Sequence, residues 1–162
     1  MELQIALRGP GGEPVDLLRT ITSHGLVSLP PMLLDEAAST LEITVPVPGR
    51  RPRTVVIRPG RRGHARVEVR GRAPAAREAA ALAEVVRRVL HLDLDLSAFY
   101  AMVADDPELA WAASGAGRMI RSPTVFEDVV KTLCTTNCSW ALTTRMITAL
   151  VEHLGDPAAG AP

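Results

Sequence analysis

At about Pro74 the hydrophobic pattern of this chain changes period. Before that point the apolar residues come in short, β-branched, partly alternating runs: LQIAL, LRTITS, GLVSL, LEITVPV, RTVVIRP and ARVEVRG. Alternation places successive side chains on opposite faces, so each run reads as a strand with one face buried. In ARVEVR, Val67 and Val69 face one way while Arg66, Glu68 and Arg70 face the other, the pattern of an antiparallel sheet with one solvated side. Gly9-Pro10-Gly11-Gly12, Pro30-Pro31, Pro48-Gly49 and Pro59-Gly60 punctuate the runs as turns. VDLLRTI, overlapping the second run, could be misread as a helical turn, but the run is read as a strand.

After Pro74 the spacing is helical. Ala75 to Leu90 is rich in Ala, Glu, Arg and Leu, with Leu82, Val85, Val86 and Val89 as its apolar stripe. Asp95 or Ser97 is positioned to cap a short helix carrying Phe99, Tyr100 and Val103. Asp105 or Asp106 caps a further helix holding Leu109 and Trp111, which Gly115-Ala116-Gly117 ends. Ser122-Pro123 opens another, with Val125, Phe126, Val129, Val130 and Leu133 apolar; Ser139 begins the last, which runs to about Leu154 before Gly155. Strands followed by helices define an α+β fold. The expected organisation is an antiparallel β-rich domain over residues 1–73 with helix 75–90 packed on it, a helical portion over 91–155, and a loop tail over 156–162.

Composition narrows the function classes. Aromatics are 3% of the residues, so Leu, Val, Ile and Ala must fill the core. Twelve arginines lie between Arg50 and Arg88 against three glutamates, a hint of a polyanion partner in a chain of zero net charge. The competing reading, a solvated set of strand faces and turns, is the favoured one on charge alone. There is no apolar stretch of about eighteen residues and no secretory leader pattern. Cys134 and Cys138 read as a reduced intracellular thiol pair and are too few for a zinc or iron–sulfur site. His91, Asp93 and Asp95 alternate, but with no fourth ligand in reach they read as a linker with a helix cap. No metal or cofactor is expected, and no catalytic triad, phosphate-binding loop or dinucleotide fingerprint is present.

The segment RMIRSPTVFEDVVKTLCTTNCSWALTTRMITALVEHLG resembles the helix pair that begins the helical region of helix-hairpin-helix superfamily DNA glycosylases, in their 8-oxoguanine and 3-methyladenine branches. The matching features are Arg121 with Pro123, Phe126-Glu127-Asp128, the break at Thr135-Thr136-Asn137, and Leu154-Gly155. LHLDLDLSAFYAMVADDPELAWA looks like the crossover from the β region in that family, and DLLRTITSHGLVSLPP is weakly similar to its N-terminal antiparallel domain. The resemblance implies a base-excision repair enzyme that flips a damaged base from duplex DNA and hydrolyses its N-glycosidic bond. The family's Gly-rich hairpin, catalytic Asp and, in some members, nucleophilic Lys are absent, and Lys131 does not fall at the nucleophile position. The chain is therefore read as the N-terminal portion of such an enzyme, inactive alone and with no catalytic residue of its own.

Each candidate residue has two readings. Asn137 alone reads as a turn or cap; the resemblance implies a polar group that enters the duplex and meets the orphaned base, where an amide offers both donor and acceptor. Thr136 and Ser139 are candidate helix N-caps whose neighbouring amides are suited to a phosphate. Trp140 reads as core, spaced with Thr144 and Ile147, or as a wedge against a base. Leu142 stands where the 8-oxoguanine branch often carries an arginine, which weakens that specificity. Gly25 reads first as an ordinary turn or bulge glycine; by resemblance it falls near a wall of the base pocket. The expected partner is damaged double-stranded DNA, with no membrane, in a cytoplasmic (if bacterial, nucleoid-associated) monomer. The alternative is a stand-alone, non-catalytic DNA-binding or protein-interaction module.

Overall fold

The computed structural model describes residues 2–158; the expected loop over 159–162 lies outside them. Five antiparallel strands form one sheet: β1 (Glu2–Ala6), β2 (Leu33–Asp35), β3 (Thr40–Val45), β4 (Arg53–Pro59) and β5 (His64–Val69), in the order β1-β5-β4-β3-β2. Five α-helices accompany it: α1 (Leu17–Ile21), α2 (Ala76–Val89), α3 (Ser97–Ala104), α4 (Val125–Thr135) and α5 (Trp140–Leu154). The fold is α+β.

Register explains why the alternation is so clean. Ile43 pairs with Val55 and Val55 with Val69; Leu41 pairs with Ile57 and Ile57 with Val67. These side chains share one face and are all buried. A one-residue slip would turn the whole set to solvent, so the apolar pattern fixes the pairing. Leu82, Val86 and Val89 of α2 close over this face in the same core, each burial contributing about 1.5–3 kcal/mol. The opposite face carries the arginines, and they are paired: Arg58 with Glu68, Arg66 with Glu2, Arg70 with Glu42. Arg50 and the buried Arg53 both reach Glu78 of α2. Five of the twelve arginines between 50 and 88 thus bind carboxylates of the chain itself, which gives the solvated-strand reading its physical basis.

Two of the expected strands are helical. LRTITS contains α1, because Asp16 Oδ1 accepts the Arg19 amide at 3.0 Å and Leu17, Thr20 and Ile21 bury one helical face. GLVSL is a single 3-10 turn over Gly25–Ser28, with Val27 turned inward. β2 was hidden because it is a three-residue edge strand, Leu33–Asp35. The expected helix around Leu109 and Trp111 is a short 3-10 segment, Ala110–Ser114, which holds Trp111 with Leu109 just before it, and both side chains are exposed.

The segment 115–122 threads between the β portion and the helices. Gly115, at φ 117°, receives the Asp16 amide on its carbonyl, and a Cβ there would lie 2.6 Å from Asp16 N. Ile120 enters the main core; its amide donates to Ser23 Oγ at 2.9 Å and its carbonyl meets His24 Nε2 at 2.8 Å. Arg118 is fully buried, donating to Glu13 Oε1, His91 O and Leu94 O. Glu13 in turn accepts the Leu96 amide at 3.0 Å. Among the described residues no helix is long and apolar enough to cross a membrane.

Candidate nucleic-acid interface

The helix pair α4–α5 carries most of the candidate residues. Thr124, not Ser122-Pro123, begins α4: its hydroxyl accepts the Glu127 amide at 3.1 Å. Glu127 and Asp128 sit in the first turn, where the helix dipole favours negative charge, and Asp128 Oδ1 also accepts the Ser122 amide. The two helices are tied at their connected end by Thr143, whose hydroxyl donates to Cys134 O at 2.7 Å. Thr143 and Ile147 are buried below it. Cys134 and Cys138 are both free thiols.

The connection itself is tight. Thr136 is the C-terminal cap of α4, not an N-cap: its amide and its hydroxyl both donate to Leu133 O, at 3.1 and 2.7 Å. Its hydroxyl is therefore engaged with the helix behind it. Asn137 adopts the left-handed conformation, φ 54°, and is exposed. Among side-chain-bearing residues Asn takes this conformation most readily, and here it reverses the chain between the helices. Ser139 caps α5 as expected, its hydroxyl accepting the Leu142 amide at 3.3 Å and its carbonyl accepting the Leu142 and Thr143 amides. Trp140 and Ala141, the first two helical residues, have amides with no intrahelical acceptor.

Trp140 is 48% exposed, so it is not the core residue that its spacing with Thr144 and Ile147 suggested. Its indole edge lies against Gly25: a Cβ on Gly25 would sit 3.4 Å from Trp140 Cη2. Two residues far apart in sequence are thus neighbours, in van der Waals reach of each other. Gly25, Thr136, Asn137, Ser139 and Trp140 are all exposed. Leu142, also exposed, adds an apolar group one turn into α5. The end of the hairpin therefore presents an amide side chain, an indole and unpaired helix N–H groups. That set is suited to base stacking and to hydrogen bonding with an unpaired base or a phosphate oxygen.

The other singled-out groups have roles elsewhere. Lys131 is 1% exposed, its ammonium 2.6 Å from Glu127 Oε1, which leaves it no open path to a substrate. His91, Asp93 and Asp95 do separate things: His91 Nδ1 meets Met119 O, Asp93 pairs with Arg121, and Asp95 Oδ1 accepts the Ser97 amide. Among the described residues no group of three or more His, Cys, Asp or Glu is placed to hold a metal ion. A cleft of about 850 Å³ between Val45–Pro48, α2 and Thr124 includes none of the hairpin residues. The pair that sequence reading missed is Glu13 and Arg118, which lie in a Gly/Pro turn and a short extended link where no periodicity marks a buried charge.

No protein-family model matches this chain, and no curated protein matches it. Among solved structures the chain is similar to the 3-methyladenine DNA-glycosylase from Archaeoglobus fulgidus, with a TM-score of 0.70 and 18% sequence identity. The match covers 93% of this chain and 50% of that one. At this identity the likeness is one of fold, and the chain spans half the length of the structure it matches.

Proposed function

We propose that this chain is the lesion-recognition portion of a base-excision repair DNA glycosylase of the helix-hairpin-helix type, with damaged duplex DNA as its partner. The observation that carries the proposal is the meeting of Gly25 and Trp140 beside the Asn137 turn, on a fold shared with a DNA glycosylase. A flipped nucleotide leaves a gap whose partner base has unpaired donors and acceptors. Asn137 is an exposed amide at a left-handed turn and is suited to fill that gap, while Trp140 supplies an aromatic face near it. Ser139 and Thr136 hold the backbone of the turn, so the amides at the start of α5 are fixed for a phosphate. N-glycosidic hydrolysis belongs to a part of the enzyme outside this chain; alone, the chain binds as a monomer and releases no base.

The test is a binding titration of the purified chain against duplexes with and without one abasic site, by fluorescence anisotropy at two salt concentrations. We expect tighter binding to the abasic duplex, weakened at higher salt as phosphate contacts require. Trp140→Ala should remove the preference. Equal affinity for both duplexes would overturn the reading. A protein-interaction role is favoured by a different observation, the apolar outer face of α4.

A further inference from the structure

The cleft of about 850 Å³ beside α2 has an aliphatic floor and a cationic rim. Arg77, Ala81, Val85 and Arg88 recur at four, four and three residues, so they share one face of α2. The two arginines stand at its ends, about 16 Å apart along the helix axis, with the apolar pair between them. Both are exposed, and neither forms an ion pair with a carboxylate of the described residues. Arg50 adds a third guanidinium, while Glu78 is already shared between Arg50 and Arg53. Glu84 is the one other carboxylate of the lining, so the rim is net positive. The facing wall contains Pro46 and Pro48, whose rings fix the backbone and offer no N–H to an added strand. An occupant is therefore held by its side chains.

We infer that this cleft binds an extended acidic–aliphatic segment of another protein, a short aliphatic run with a carboxylate at each end. The carboxylates meet Arg77 and Arg88, and the aliphatic side chains lie on Ala81, Leu82 and Val85. Size decides for an extended segment. A helix 16 Å long and 10–12 Å across fills about 1,500 Å³. An extended strand of that length, about 5 Å by 10 Å in section, fills about 800 Å³ and spans the arginines with about five residues. The lining decides against nucleic acid: it holds no aromatic side chain on which a base could stack. The cleft is also remote from the Asn137 turn, because Thr124 lies at the opposite end of α4. The inference stands on this charge and shape and not on DNA recognition.

The probe is a blocked peptide with glutamate at each end and four residues of alternating leucine and serine between. Its binding to the full chain is followed by amide NMR spectra. Shifts are expected along α2 from Arg77 to Arg88 and at Val45 and Val47, with none at Asn137. Arg77→Glu with Arg88→Glu should weaken binding by about tenfold or more, and a peptide with lysine ends should bind that variant instead. Two control peptides put the same question to the unaltered chain, one with serine for each leucine and one with lysine for each glutamate. Three results overturn the inference: no shifts in the cleft at about 1 mM peptide, equal binding of either control, or displacement of the peptide by intact duplex DNA. Abasic-site preference, measured on the same variant, is expected to be unchanged and reports separately on the proposed function.

Discussion

Asn137 combines a structural demand with a chemical one. At φ 54° a Cβ-bearing residue other than Asn or Asp is strained by about 1–2 kcal/mol, while glycine is at ease. Asn137→Ala therefore changes both the turn and the side chain, and a loss of abasic-site preference in that variant alone is ambiguous. Asn137→Gly separates them. It should match the wild-type chain in the unfolding free energy from denaturant titration, where Asn137→Ala falls by about 1 kcal/mol, yet both should lose the preference for an abasic duplex. Retention of that preference by the glycine variant would assign the role to the turn backbone instead of the amide. The residue types at this site were legible because Thr-Thr-Asn-Cys-Ser-Trp is a local pattern, a break between two periodic segments. The contact of Trp140 with Gly25 was not, because it depends on how two distant segments pack.

At the scale of elements, legibility followed length. β3, β4 and β5 have six, seven and six residues of β-branched sequence and were readable as strands. α2 spans fourteen residues with one apolar stripe and was readable as a helix. LRTITS and GLVSL are too short to separate the periods 2 and 3.6, and a capping carboxylate and a single 3-10 turn decided them. In α4 the apolar residues were readable but their side was not: such a stripe ordinarily marks a buried side, and here Val125, Phe126, Val129 and Leu133 are exposed. This orientation is measurable. Phe126→Ser should alter unfolding free energy by no more than about 0.5 kcal/mol, as an exposed substitution does. Ile147→Ala on α5, at a buried position, should lower it by about 2–5 kcal/mol. Equal losses in the two variants would mean that Phe126 is covered within the chain.

For the whole molecule, one link between the β portion and the helices is a buried ion pair. Arg118 ties Glu13 to the carbonyls of His91 and Leu94, and so joins the loop after β1 to the end of α2 and the start of α3. Burial disfavours the charged form of Glu13, but the Leu96 amide, its own backbone and the Arg118 guanidinium outweigh it, and its pKa falls below the ordinary 4.5. His91 is also lowered, from 6.5, by burial and then by the Arg121 charge. Both shifts favour the deprotonated form in the fold. The unfolded chain therefore takes up each proton first as the pH falls, and stability is lost on acidification: below about 6.5 through His91, below about 4.5 through Glu13. Thermal unfolding followed by circular dichroism from pH 8 to pH 3 should show both declines. His91→Asn, a residue suited to the left-handed backbone there (φ 54°), should flatten the first and leave the second. Glu13→Gln should flatten the second and also lower stability at neutral pH by about 3–5 kcal/mol, because Arg118 remains buried without its carboxylate. Adding Arg118→Met to Glu13→Gln should restore part of that loss, since no unpaired charge then stays buried. A Glu13→Gln variant as stable as the wild-type chain at pH 7, with the same acid slope, would mean that the pair does not hold the two parts together.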